Sequence, residues 1–433
     1  MPVRLTGIGA GQFAQLSRQA GLLVLALLLP RITTDTTLIG WWEQWQFLAY
    51  VLGFGWLGAA GQALLTRYRR LPAARAEQLT RLALLTVTGF SAVVLLLAYV
   101  AAPWVLPAVI GSGTLVGYGA ILLYLLGFWP AALFEQLLLA RGELKRLLFF
   151  TALSNLAVPL LFGLLLYAYP GRWTAVWFMV GTSGLRLLYV GWYGWQRGRP
   201  PGSRPLRLLK FWLRPFPALL AYGLLAAASV AVDPWLVGQW SGGDEDVFAI
   251  FRYGARELPL VGGLLLGIGQ AVLPTLTSDR AVGLEELRRA SRRAMHLLFP
   301  LSIFLLLTST RWWPVLFTET FLPSLPLFQV FLLVLISRPV FSLTVLVAER
   351  ENRVLPVFGL LDLVVNLGLS YLLLHRCGLI GVAWGTVAAF TLEKSALALY
   401  LWRVRGIAPA AYLDIWWWGG YCAVLVGAFW WVF

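Results

Sequence analysis

The chain has 433 residues, 60% of them hydrophobic and 12% charged, and a formal net charge of +15. A composition this apolar leaves no soluble domain of useful size and excludes an ordinary catalytic site open to water. The positive charge taken alone would suit nucleic acid, but its distribution along the chain gives it another meaning.

A bilayer-crossing helix takes roughly 20 apolar residues. In chain order, stretches of that kind run 13–32, 39–65, 82–103, 114–140, 147–168, 172–195, 211–240, 247–277, 295–318, 323–348, 354–375, 378–402 and 415–433. With the N-terminus inside, the inner loops collect most of the cations, Arg18, the run from Arg67 to Arg81, that from Arg197 to Arg214 and that from Arg280 to Arg293 among them. The outer loops hold only Arg31, Arg172, Arg311 and Arg376. Cytoplasmic loops of membrane proteins carry this excess. It predicts a cytoplasmic N-terminus and removes nucleic acid as a partner, leaving an affinity for anionic lipid heads. The 22 tryptophans cluster at stretch ends, as in Trp41-Trp42, Trp312-Trp313 and Trp416-Trp417-Trp418, where indoles anchor a helix at the headgroup level.

The expected fold is therefore all-α, a polytopic helical membrane protein of about thirteen transmembrane helices, twelve in the core and one extra at the C-terminus. A basic Pro/Gly-rich linker at 196–210 divides it. Six stretches precede the linker, giving an N-terminal lobe at 1–195. A second lobe occupies 211–403, and 404–433 is a linker with the extra helix. Gly61-Gln62-Ala63 recurs as Gly269-Gln270-Ala271, each at the end of a span and before a basic loop. An even number of spans before the repeat gives both copies one orientation. That predicts two parallel six-helix lobes around a central cavity, and a protein that moves something across the membrane.

Charges inside spans are costly and face a partner or a wet cavity. Asp233 falls roughly 10 Å below the outer end of span seven, and Arg252 and Arg256 roughly 8 and 13 Å below that of span eight, at 1.5 Å per residue. The two arginines, at i and i+4, share a helix face, and two guanidinium forks suit a pyrophosphate. Asp233 would pair with them when the site is empty, or exchange a proton or sodium ion. Alternatively, the three form an ion network that only locks the two spans. Arg186 and Arg338 extend the cationic set or satisfy a neighbouring carbonyl. Glu257, Glu393 and Asp362 are further coupling or ion-pair candidates. Glu393 and Lys394 point about 100° apart on a helix and are not expected to pair. Glu135, near the inner face, reads as interfacial. Asp244-Glu245-Asp246 reads as a solvated acidic turn or a divalent-cation site. Cys377 and Cys422 make no framework, and His296 and His375 lie on opposite sides, so no metal site is expected. No phosphate-binding loop, dinucleotide fingerprint or nucleophile elbow occurs; no cofactor and no catalytic residue are assigned. Outer loops of about ten residues are too short to build a membrane glycosyltransferase or polymerase, so a transporter is favoured over an enzyme.

The run from Ala231 through Asp233-Pro234 to Gly238, the segment Val247 to Leu258 with Tyr253 and Ala255, and Leu273-Pro274 near the end of span eight resemble a known pattern. They are similar to the polysaccharide-biosynthesis (O-antigen) flippase family of the multidrug/oligosaccharidyl-lipid/polysaccharide exporter superfamily. Ala255 stands one place before the family's alanine. The resemblance implies a bacterial inner-membrane flippase for a polyprenyl-pyrophosphate-linked oligosaccharide, working by alternating access. It implies the lipid-linked oligosaccharide, membrane lipids and a polysaccharide polymerase or assembly proteins as partners. A lipid II flippase and a drug exporter of the same superfamily are the alternatives; the arginines argue for an anionic cargo.

Overall fold

The computed structural model describes residues 7–433 apart from 34, 54, 69, 201–203, 257, 258, 350, 352 and 353. Among the described residues all regular structure is helical. The chain divides into two compact units: one holds the residues up to Ala227 with Gly238–Asp246, the other Ala228–Val237 with Val247–Phe433.

The first unit contains α1 (Gly7–Ile32), α2 (Thr36–Leu52), α3 (Trp56–Tyr68), α4 (Ala73–Val100), α5 (Ala102–Ile110), α6 (Tyr118–Arg141), α7 (Leu144–Ala152), α8 (Val158–Ala168), α9 (Arg172–Arg197) and α10 (Pro205–Leu213). The helix α11 (Phe216–Ser241) contributes to both units. The central helix of the first unit is α6, 72% buried along its apolar window where α1 and α4 are 33% buried. Its packing is aromatic and aliphatic, Phe134 lying edge-on to Phe150 and Tyr193. The helix α2 starts at Asp35, whose carboxylate accepts from the backbone N–H of Thr37 and Leu38 and caps two otherwise orphaned donors. The single stretch expected at 39–65 is two helices, α2 and α3, bent by 53°. Gly55, at φ 69°, permits the bend, and a Cβ there would meet the Gly223 backbone at 2.9 Å.

The second unit contains α12 (Glu245–Gly254), shared at its start, α13 (Pro259–Ser278), α14 (Arg280–Phe317), α15 (Leu325–Leu332), α16 (Ser342–Ala348), α17 (Leu355–Cys377), α18 (Leu379–Arg405) and α19 (Ile415–Val432). Short 3₁₀ segments flank α15. The stretch expected at 247–277 is two helices, α12 and α13; a Cβ at Gly254 would meet Leu327 and Ser324, and Pro259 opens α13. The stretch at 323–348 is broken at 337–341. The basic loop expected at 280–294 is instead the first four turns of α14, which Asp279 caps through the Val282 N–H. Part of the linker expected at 196–210 is likewise helical: α10 buries Trp212, whose Nε1 donates to the Ala60 carbonyl at 3.3 Å.

Among the described residues nine helices are long and apolar enough to cross a membrane, or ten counting the bent α2–α3 pair. The sequence reading gave about thirteen. The helices α9 and α18, of 26 and 27 residues, have the length, but Arg186 and the Glu393-Lys394 pair dilute their apolar character. The broken stretches make up the rest of the difference.

The two longest-packed neighbours of the second unit are α17 and α18. A Cβ at Gly381 would lie 2.1 Å from the Leu373 carbonyl oxygen, and one at Gly385 2.6 Å from the Ser370 backbone nitrogen. Backbone cannot yield as a flexible side chain can, so Gly385→Val should destabilise by about 1–3 kcal/mol or more. Gly368→Ala, on the same hairpin with open space around it, should melt with the wild type. Thermal melting of the two purified variants in detergent checks this.

Candidate functional site

The close approach of α17 and α18 gathers polar groups around Asp233, in the middle of α11. Asn366 Nδ2 donates to Asp233 Oδ1 at 3.1 Å, and Thr386 Oγ1 lies 2.6 Å from Oδ2. Ser370 Oγ donates to Asn366 Oδ1 at 3.0 Å. Thr386 Oγ1 is also 3.0 Å from the Val382 carbonyl. Asn366 and Ser370 are i and i+4 on α17 and share a face, while α18 offers the Thr386 hydroxyl, which also meets the backbone carbonyl four residues before it. A hydroxyl has one proton, so Thr386 can serve Asp233 or Val382 but not both. The result is a carboxylate held by one amide N–H and one hydroxyl, with the Asp362 carboxylate near enough to act on it. Such a set suits a proton or a hard monovalent cation; among the described residues no three His, Cys, Asp or Glu side chains gather to hold a metal ion.

Asp233 was expected to pair with Arg252 and Arg256; its hydrogen bonds go to Asn366 and Thr386 instead. The two arginines are not i and i+4 on one helix. Arg252 lies in the last turn of α12, and Arg256 lies past its end, where its Nε donates to the Arg252 carbonyl at 3.3 Å and its guanidinium covers the Tyr253 ring at 4.5 Å. Both are partly exposed. Glu257 lies outside the described residues. Pro234 does not interrupt α11, which runs unbroken from Phe216 to Ser241.

One turn before Asn366 on α17 stands Asp362, 7% exposed, with its Oδ1 lacking a hydrogen-bond partner among the described residues. Glu393, Lys394 and Arg338 are near enough to act on it electrostatically. Glu393 and Lys394 do pair, at 2.8 Å, with side chains only 12% and 16% exposed. This corrects the expectation from their 100° separation: two long side chains swing together when both are kept from water. Arg338 sits in the break of the tenth stretch and covers the Phe390 ring at 4.6 Å.

The first unit carries a separate charged group that the sequence did not suggest. Arg18 Nη2 meets Glu135 Oε2 at 2.6 Å, with the carboxylate side chain 8% exposed and the arginine 52%. Glu135 is thus buried within its unit, and Arg18 lies within α1 rather than in an inner loop. Arg186 on α9 also acts on Glu135 and donates to the Ser154 carbonyl at 2.9 Å. That carbonyl belongs to a π-helical turn, Leu153–Ala157, joining α7 to α8, and such turns leave carbonyls open to side chains. The acidic turn is not a cation site: Glu245 forms a two-toothed pair with Arg172, at 3.0 and 2.5 Å, and Asp246 accepts from Thr36.

No protein-family model matches the chain, and no curated protein matches it in sequence. Solved structures do. The lipid II flippase MurJ, in an inward closed conformation, is similar over 98% of this chain and 96% of its own, with a TM-score of 0.69 and 14% identity. An inward-facing multidrug-resistance MATE transporter of the MOP superfamily gives a TM-score of 0.58 at 15% identity, over 99% and 97% of the two chains. A MOP-superfamily transporter from Pyrococcus furiosus, described as having a binding pocket of reversed polarity, gives 0.57 at 16% identity, over 94% and 97%. The chain has the fold of these transporters, and these neighbours are transporters rather than enzymes.

Removing Arg18 strands a buried carboxylate. Breaking a fully buried pair costs about 3–5 kcal/mol; with Arg18 half exposed, solvent screening reduces that, and Arg18→Ala should cost about 1–3 kcal/mol. Adding Glu135→Gln should restore most of the loss. Melting temperatures of the single and double variants check the coupling.

Proposed function

We propose that this protein is a flippase that carries a polyprenyl-pyrophosphate-linked saccharide across the bacterial inner membrane by alternating access. The observation that carries the reading is the excess of arginine among the helices: Arg252, Arg256 and Arg338 in the second unit and Arg186 in the first. Burying charge in a membrane is expensive, and guanidinium forks match the oxygens of a pyrophosphate. Of the structures named above, the lipid II flippase has the higher TM-score, which supports a lipid-linked cargo over a cationic drug. The O-antigen or exopolysaccharide repeat unit is the cargo favoured by the sequence resemblance; lipid II shares its pyrophosphate and is the second reading. The proposal includes the lobes at 1–195 and 211–403, the linker at 196–210, the accessory segment at 404–433, and a polymerase or assembly protein downstream.

Arg252, Arg256, Arg186 and Arg338 are the proposed cargo contacts. Asp233, aided by Asp362 and the Glu393-Lys394 pair, is the proposed coupling site, and Glu257 remains a candidate beside Arg256. A carboxylate whose hydrogen-bond partners are neutral accepts one positive charge, a proton or a sodium ion, and Asp233 would release Asn366 and Thr386 to bind it.

Losing a charge-assisted hydrogen bond costs about 1.5–3 kcal/mol, so Arg252→Ala with Arg256→Ala should cut transport by at least tenfold while the protein still inserts. Depletion of the protein should make a lipid-linked saccharide accumulate on the inner leaflet, and the sugars of the extracted lipid identify the cargo. Intact surface glycans with no accumulation would replace the flippase with an exporter. Asp233→Asn should abolish the dependence of transport on pH or on sodium; a variant with the wild-type dependence would remove Asp233 from coupling.

A further inference from the structure

The arginine-rich end of α14 is too long for the bilayer. Its 38 residues span roughly 57 Å, against a hydrocarbon core of roughly 30 Å. Counting back from Phe317, His296 falls roughly 31 Å away and Arg292 and Arg289 roughly 37 and 42 Å away. On the positive-inside reading of the topology, His296 marks the inner edge of the hydrocarbon, and the arginines stand among the inner headgroups. The helix α19 begins at the same level, because Arg292 and Arg288 reach Asp414, the residue before it, at 3.4 and 3.9 Å.

Two rows of arginine follow from helix periodicity. Arg288 and Arg292 face α19 and share the Asp414 carboxylate, which is 8% exposed, yet both stay 41–46% exposed themselves. Arg289 and Arg293 form the next row, outward of α19; Arg289 holds Glu285 at 2.8 Å and is 61% exposed. Asp414 pairs with both arginines of the first row and Glu285 acts on them too, which against four arginines still leaves positive charge at a surface the headgroups touch. The same i, i+4 ridge continues from Arg293 into Leu297 and Leu301, with Phe304 beyond, all three exposed. Beside the arginines, Trp417 packs edge-on to His296 at 4.7 Å, and His296 Nδ1 meets the Tyr421 hydroxyl at 2.9 Å. A ridge that is cationic at headgroup depth and apolar below has the outline of one phospholipid, head and acyl chain.

We propose that the arginine-rich end of α14, with the start of α19, is a binding site for an anionic phospholipid of the inner leaflet. Its phosphate lies on Arg289, Arg292 and Arg293, with His296 and Trp417 at the rim and the acyl chain along Leu297, Leu301 and Phe304. Asp414 is the internal competitor: it neutralises part of the charge when no lipid is present and sets how tightly the headgroup binds. The site is independent of the cargo, so its test reads lipid retention and not transport.

The test uses the full chain purified into nanodiscs of phosphatidylcholine with or without phosphatidylglycerol, read by melting temperature and by the number of phosphatidylglycerol molecules retained on extraction. Wild type should melt several degrees higher with phosphatidylglycerol and retain it. Arg289→Gln with Arg293→Gln, which leaves the contacts to Asp414 in place, should lose at least half of the shift. Asp414→Asn should retain more phosphatidylglycerol than wild type, an effect opposite in sign to simple damage. An equal shift in the double arginine variant, or no gain with Asp414→Asn, would overturn the site. Inorganic phosphate giving the same shift in phosphatidylcholine alone would overturn the lipid as its occupant.

Discussion

Gly381 and Gly385 allow α17 and α18 to approach until a Cβ at either position would run into the facing backbone, and the polar shell of Asp233 exists only at that distance. Asn366 and Ser370 from one helix and Val382 and Thr386 from the other reach a common point because neither helix carries bulk between them. Hydrocarbon offers no hydrogen bonds, so a carboxylate on α11 is tolerable only where other helices supply the donors. Its hydrogen-bond partners are neutral and the other charge acting on it is the Asp362 carboxylate, so its own charge is not cancelled. A paired arginine would have cancelled it.

The arginines solve a different problem. Wherever a membrane helix breaks, it leaves carbonyls with no partner along the chain, and lipid supplies none. Arg186 fills one such carbonyl at the π-helical turn after α7, and Arg256 fills another at the end of α12. A guanidinium has five donors, and these contacts each use one. Arg186 also acts on Glu135 and Tyr124. The helix breaks are what position these two cations.

Much of this was legible in the residues. Apolar runs and the basic loops between them set the all-helical architecture, and Asp233, Arg186, Arg252, Arg256 and Arg338 stood out as charges where lipid is expected. Their partners did not. Asn366 and Thr386 are 133 and 153 residues from Asp233, and Arg18 is 117 from Glu135; no local periodicity relates such pairs. Hydropathy reports how apolar a run is but not whether one helix threads it. So the breaks between α2 and α3, between α12 and α13 and at 337–341 leave no mark in hydropathy, and periodicity puts Arg256 on a helix face although it lies beyond the end of α12. The pairing of Glu393 with Lys394 was missed for a third reason: the angle between two Cβ vectors does not limit side chains of that length.

The proposed transport of charged ligands would be acted on by the membrane potential. Moving one elementary charge across the membrane is worth about 2.3 kcal/mol per 100 mV. A cell interior is negative, so a pyrophosphate cargo leaving it runs downhill in that field, and a cation entering on Asp233 runs downhill too. Both legs of an exchange would then be driven by one potential. The proposed sites would fit this economy, with arginines for an anion outward and the Asp233 carboxylate for a cation inward. Each ligand would carry its own charge compensation across, and the protein would not have to expose an uncompensated charge to lipid in either direction.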